Sequence, residues 1–203
     1  MLEYRSKLNQ SGFRLSLGVA TAVIVTALVF VITKQQRKQS SQLILSRQIG
    51  LLLPTGAYEN NPATDRIQLN KTISSSLTLN SAYLYKSANT VRGAIFHVTT
   101  SQGYSGDIEL LVALAQSKLV HGVALVAHTE TPGLGDKIEL GRTDWLSQFT
   151  GLHTTSMPPS AWSVKKDGGA FDQITGATIT PRAVINAVSD TINWYSRHPD
   201  SLQ

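Results

Sequence analysis

Near the end of this 203-residue chain stands the stretch FDQITGATITPRAV, Phe171 to Val184. Its residue types suit one kind of chemistry, the presentation of a bare hydroxyl to a phosphate. Asp172 stands upstream. Thr175, Gly176 and Ala177 keep side chains small, so the backbone can approach another group closely. Thr178 offers a secondary alcohol with little steric cover. Thr180 reads as the N-cap of a helix, with Pro181 at the first helical position, where its missing N–H costs nothing. A helix start supplies unpaired N–H groups and a partial positive charge, which together seat an anion. Arg182 adds a formal charge in the first turn. The same residues also describe an ordinary capped helix start, and the loop alone does not separate the two readings.

A loop of this kind needs a rigid frame. The best pair of apolar runs, GDIELLVALA (106–115) and KLVHGVALVAHT (118–129), is joined by Gln116 and Ser117 and predicts a central antiparallel hairpin. Shorter strand-like runs precede it at 66–69, 81–86 and 92–98. The Ser/Asn-rich stretch 59–81 has the composition of loop and edge strand. QLILSRQIGLLL has loose helical spacing and is stopped by Pro54. Residues 136–149 predict a short strand or turn leading to a helix, and 162–166 a strand before the Asp-Gly-Gly turn at 167–169. The last helix runs from Thr180-Pro181 to about Tyr195. Strands in series with helices at the ends, and no repeating βαβ, indicate α+β with a mainly antiparallel sheet.

Charge is unevenly placed. The net +5 of the chain resides in residues 1–38, where Arg5, Lys7, Arg14, Lys34, Arg37 and Lys38 face Glu3 alone. Residues 39–203 are neutral, so there is no basic groove and nucleic acid is not an expected partner. The basic residues flank LSLGVATAVIVTALVFVIT, Leu15 to Thr33, which has no charge and no polar face. As a helix it reaches about 28 Å, close to the ~30 Å of a hydrocarbon core. The run passes directly into KQQRKQSSQ with no small-x-small cleavage site, so an uncleaved anchor is expected rather than a signal peptide. Three basic residues lie on each side, a tie by the positive-inside count. The short N-terminus and long C-terminal part favour N-inside, C-outside. The expected organisation is a cytoplasmic N-terminus over 1–12, a transmembrane helix over 13–33, a linker and helix over 34–60, and an exported domain over 61–203.

Cysteine is absent, which excludes disulfides, cysteine-ligated iron–sulfur clusters and thiolate zinc sites. His128 and Glu130 share a strand face, but no third ligand is in view and a hydrogen-bonded loop histidine is expected. ETPGLGDK (130–137) lacks the spacing of a phosphate-binding P-loop and reads as a Pro-Gly turn. Trp145, Trp162 and Phe171 are expected in the core, with Trp162 and Phe171 also candidates to flank a cofactor.

GYSGDIELLVAL, AHTETPGLGDKIEL and AWSVKKDGGAFDQITGATITPRAV, in that order behind an N-terminal apolar run, resemble the G subunit of the Rnf (Rsx) electron-transport complex. A more distant likeness is to the C subunit of the sodium-translocating NADH:quinone reductase. The resemblance implies that the last threonine of the Asp-x-x-Ser/Thr-Gly-Ala-Thr motif, here Thr178, carries FMN through a phosphoester. Thr175, Gly176 and Ala177 complete the motif. It implies that Thr131 and Leu134 lie beside the flavin, and that a flavin transferase using FAD and magnesium recognises Asp172. It also implies a bacterial inner-membrane protein with a periplasmic domain, relaying electrons among the other subunits of a redox-driven ion-translocating complex and turning nothing over alone. The alternatives are the related reductase protein and an unflavinylated membrane scaffold or sensor of the same fold.

Overall fold

The computed structural model describes residues 19–20, 22–30, 45–54, 56, 58–153 and 157–202. The chain divides into two units, Met1–Ile44 and Leu45–Gln203. In the first, residues 19–20 and 22–30 are helical. Its large apolar side chains from Val19 to Phe30 are 57–66% exposed. Both ends of the expected span over 13–33, and the N-terminus over 1–12, lie outside the described residues. No described helix is long and apolar enough to cross a membrane.

The second unit is built on five strands: β1 Arg66–Ser74, β2 Leu77–Ser87, β3 Thr90–Thr100, β4 Ile108–Ala115 and β5 Val120–His128. Each pairs antiparallel with the one before, in the order β1-β2-β3-β4-β5. The architecture is α+β with an antiparallel sheet, as the composition of the segments indicates. The centre is β3, however, and the β4–β5 hairpin stands to one side with β5 at the edge. Those two strands are long and apolar because β4 is covered on both faces, not because the pair is central. β1 extends beyond 66–69, but only Ile67, Leu69 and Ile73 of it pack against the core, so most of its length carries no apolar signal.

Period-2 alternation sorts the strands onto two faces. Ala94, Phe96 and Val98 of β3, with Leu110, Val112 and Leu114 of β4, face one core. Ile95, Leu111 and Ala113 face the other. A short helix α1 (45–52) covers the second face through Ile49, joined by Leu53 just after it. A long helix α2, Ile179–Arg197, covers the first with Val184, Val188 and Ile192 among its buried residues. Phe96 meets the Trp194 and Tyr195 rings of α2 at centroid distances of 6.0 and 5.2 Å.

Between β5 and α2 the chain is nearly all turn. Over 136–149, where a short strand or turn leading to a helix is expected, there are 3-10 turns at Gly135–Ile138 and Trp145–Phe149: the turn is present and the helix is not. The four buried apolar residues there, Ile138, Trp145, Leu146 and Phe149, are spaced as on one helix face, so their pattern does not separate a helix from these turns. Residues 162–166 likewise make no strand. Val164 forms a single bridge to Phe171 and a 3-10 turn follows at Lys165–Asp167. Gly169 folds back so tightly that a Cβ there would stand 2.0 Å from the Ser163 carbonyl oxygen. Phe171 is buried and stacks on Phe149 at 4.7 Å, with Trp162 at 5.4 Å. These rings pin the loop that leads to Thr178 onto the core.

Candidate functional site

Two tight turns meet in front of α2. The first is Thr131-Pro132-Gly133-Leu134, closed by the Leu134 N–H donating to the Thr131 carbonyl at 3.1 Å. Proline at its second position and Gly133 at φ +80° are what a type II turn requires. The second is Ile174-Thr175-Gly176-Ala177, closed by the Ala177 N–H donating to the Ile174 carbonyl at 3.0 Å, with Gly176 at φ +84°. The turns touch: a Cβ on Gly176 would stand 2.9 Å from Leu134 Cδ2. The Thr-Gly-Ala sequence is thus small because it must turn and also because Leu134 lies against it.

The helix starts two residues earlier than the sequence suggests. Ile179 is its first residue and Thr178 is the N-cap, with helical dihedrals and no side-chain capping hydrogen bond. Pro181 is therefore the third helical residue, still within the turn whose N–H groups have no intrahelical partner. Thr180 is buried, and its hydroxyl donates to Glu130 Oε2. It does not cap the helix. Thr178, by contrast, is exposed, and its hydroxyl is uncommitted among the described residues. The cap position is the one place in this turn where a hydroxyl can be lost to a new bond at no structural cost.

Thr178 opens onto a pocket of about 190 Å³ lined by Tyr104, Glu130, Thr131, Leu134, Gly135, Gly176, Ala177, Ile179 and Thr180. Seven of the residues singled out in the sequence, Glu130, Thr131, Leu134, Gly176, Ala177, Thr178 and Thr180, are brought together here. Thr175 and Asp172 are not. They line a separate open hollow of about 610 Å³ with Trp145 and Gln148. Tyr104, Gly135 and Ile179 line the pocket without having been singled out, and no periodic signal marks them. A larger apolar hollow of about 640 Å³ runs along β5 past Leu51 and Leu140 and contains none of these residues.

His128, Arg182 and Asp172 are each paired. His128 Nε2 meets Glu139 at 2.9 Å and its Nδ1 accepts the Glu130 N–H at 3.0 Å. It is hydrogen-bonded as expected, but it is the last residue of β5 rather than a loop residue. That bond to His128, with Arg142 beside it, holds the Glu139 carboxyl below its usual range. Arg182 does not face the pocket. It makes two hydrogen bonds to Asp167, at 2.7 and 3.0 Å, and its hydrogen bond holds the Asp167 carboxyl low. Asp172 is exposed and paired with Lys165. Its carbonyl accepts from Trp145 Nε1 at 2.7 Å and its N–H donates to Gln148 at 2.8 Å, so its backbone is fixed while its carboxylate stays at the surface.

Comparison with known proteins places this site in a family. The FMN-binding domain family matches residues 103–193, which include every residue lining the pocket. The ion-translocating oxidoreductase complex G subunit of Pseudoalteromonas atlantica is 39% identical over 196 residues, covering 95% of this chain and 90% of that protein. The proteins of the same name from Yersinia pestis and Vibrio cholerae are 35% and 34% identical, each alignment covering 96% of this chain and 93% of the relative. The crystal structure of Shewanella oneidensis NqrC superposes with a TM-score of 0.46 at 20% identity, over 73% of this chain and 72% of that one. The chain belongs to the family of the ion-translocating oxidoreductase complex G subunits.

Proposed function

We propose that this protein is the flavin-bearing electron relay of a membrane complex that couples electron transfer to ion movement, with FMN held covalently on Thr178. The observation that carries the reading is the Thr178 hydroxyl, exposed and uncommitted at the mouth of a pocket within the matched FMN-binding region. The residues fit the group: Leu134 and Tyr104 offer apolar surface, Gly176 permits close approach, and α2 begins beside Thr178. At about 190 Å³ the pocket falls below the roughly 300 Å³ at which sites begin to engulf a drug-sized ligand. Much of a flavin would stay in solvent, open to redox partners and weakly held. A covalent tether compensates, because it keeps the local concentration high whatever the affinity.

Attachment by a flavin transferase exchanges the Thr178 O–H bond for an O–P bond, the hydroxyl proton being given up and the adenylate half of FAD leaving. Bound there, FMN supplies reversible one- and two-electron chemistry that no side chain of this cysteine-free protein offers. The protein's own work is to orient the ring against the two turns. Intact mass of the full chain, expressed with and without a flavin transferase, tests the reading: one FMN is gained only with the transferase. Identical masses overturn it.

Asp172 and Arg182 separate attachment from packing. Asp172, exposed beside the loop with its carboxylate at the surface, is assigned to recognition by the transferase. Asp172→Ala is expected to lower the flavin-to-protein ratio severalfold at equal transferase levels. Arg182 is engaged with Asp167, an exposed pair of the kind that contributes little. Arg182→Ala is expected to leave attachment complete. Full flavinylation of the Asp172 variant would reduce recognition to the Thr-Gly-Ala-Thr core.

The anchor and its orientation belong to the same proposal. The uncharged run from Leu15 to Thr33 and the exposed apolar side chains within it support an inner-membrane span, and the neutral domain that follows supports export to the periplasm. A C-terminal alkaline phosphatase fusion is expected to be active. A fluorescent protein at the same end, exported unfolded, is expected to be dark. The reverse pattern would put the domain in the cytoplasm.

A further inference from the structure

Glu130 has no assigned role, and its surroundings are unusual for a carboxylate. It is 4% exposed, and both its oxygens accept hydrogen bonds, Oε1 from the Ser105 N–H at 3.0 Å and Oε2 from the Thr180 hydroxyl. Acceptance at both oxygens is the pattern of an ionised carboxylate. No ion pair among the described residues includes it, so both of its donors are neutral. Two glycines make room for it. A Cβ on Gly135 would stand 2.6 Å from Oε2, and one on Gly103 would stand 2.9 Å from Oε1. Three separate segments therefore converge on one carboxylate: the 103–106 loop with Tyr104, the 130–135 turn with Leu134, and the first turn of α2 beside Thr178.

We propose that Glu130 is a positioning residue with an electrostatic output, clamping these three segments and placing a fixed negative charge in the pocket wall that lowers the reduction potential of the flavin. The inference rests on the FMN reading given above. A buried charge is weakly screened by solvent. Reduction adds electron density to the ring, and a nearby anion disfavours the electron-rich form, as it disfavours ionisation of a neighbouring acid. The same carboxylate is tied to the first turn of α2 through the Thr180 hydroxyl.

The test uses the full chain, flavinylated by a transferase and held in detergent, with the flavin midpoint read by spectroelectrochemical titration. Glu130→Gln preserves shape and removes the charge, and its midpoint should move to a more positive potential. Thr180→Val removes one clamp bond and keeps the charge, so its midpoint should move less. In flavin-free protein, Glu130→Ala should speed amide exchange at Ser105, which loses its acceptor. An unchanged or more negative midpoint in loaded Glu130→Gln overturns the electrostatic part. Unchanged exchange at Ser105 overturns the clamp. Failure of the parent chain to take up any flavin would instead defeat the FMN assignment, and the exchange measurement would still decide the clamp.

Discussion

Thr178→Ala is expected to abolish covalent flavin: the fluorescent band that survives denaturing electrophoresis should disappear, and the intact mass should stay at that of the bare chain. The expected loss is complete, because no other hydroxyl in the motif can substitute. Thr180 is buried and bonded to Glu130. Thr175 opens onto the other hollow. The substitution should leave folding nearly untouched, since the Thr178 hydroxyl makes no capping bond whose loss would cost the usual ~1 kcal/mol. Unchanged thermal unfolding of the flavin-free variant beside a lost band identifies a chemical role. A persistent band would move the attachment elsewhere.

That site was partly legible in the sequence. The loop's small residues and the helix start could be read from residue types, because glycine at positive φ and a Pro-Gly turn have few other uses. The meeting of two turns could not. Thr131 and Leu134 lie far from Thr178 in the chain, and only the fold brings Leu134 onto Gly176. Placing the cap at Thr180 rather than Thr178 followed from a sound preference for Thr-Pro at helix starts. It failed because a buried carboxylate elsewhere in the chain competes for the Thr180 hydroxyl. The same limit explains Glu130, visible in the sequence only as a neighbour of His128. In the sheet, the long apolar strands were legible as strands though not their order, whereas the polar β1 gave little period and the stretch from 135 to 171 carried helix- and strand-like patterns that the chain folds as turns.

Phe96→Ala is expected to cost about 3–5 kcal/mol of unfolding free energy, the range for deleting a large buried ring. Phe96 is wholly buried in β3, the central strand. Both aromatic residues near the end of α2 pack on it. The cavity cannot easily collapse, because the strand is held on both sides and the two α2 rings are too large to turn inward. Denaturant titration of the flavin-free domain measures the loss. A cost below ~1.5 kcal/mol would mean that α2 is held by its other contacts alone. Because α2 carries Thr178 at its first turn, the destabilised variant should also expose the flavin loop to protease.

The nearest-neighbour order of the strands has a consequence for maturation. Every strand pairs with the one just made, so a chain released N-terminus first closes its sheet from short loops, hairpin by hairpin. The sheet is complete at His128, before the segment bearing Thr178 has arrived. What comes last is α2, and with it the cover for Ala94, Phe96 and Val98. During that interval the apolar face is open and the threonine loop is not yet pinned by Phe171. On the proposed reading, the late-arriving segment is the one a flavin transferase would grasp and also the one that seals the domain. Because Thr178 stays exposed once α2 has docked, the proposed attachment can proceed before or after the domain is sealed, and modifying a stalled and a fully folded chain in parallel distinguishes the two.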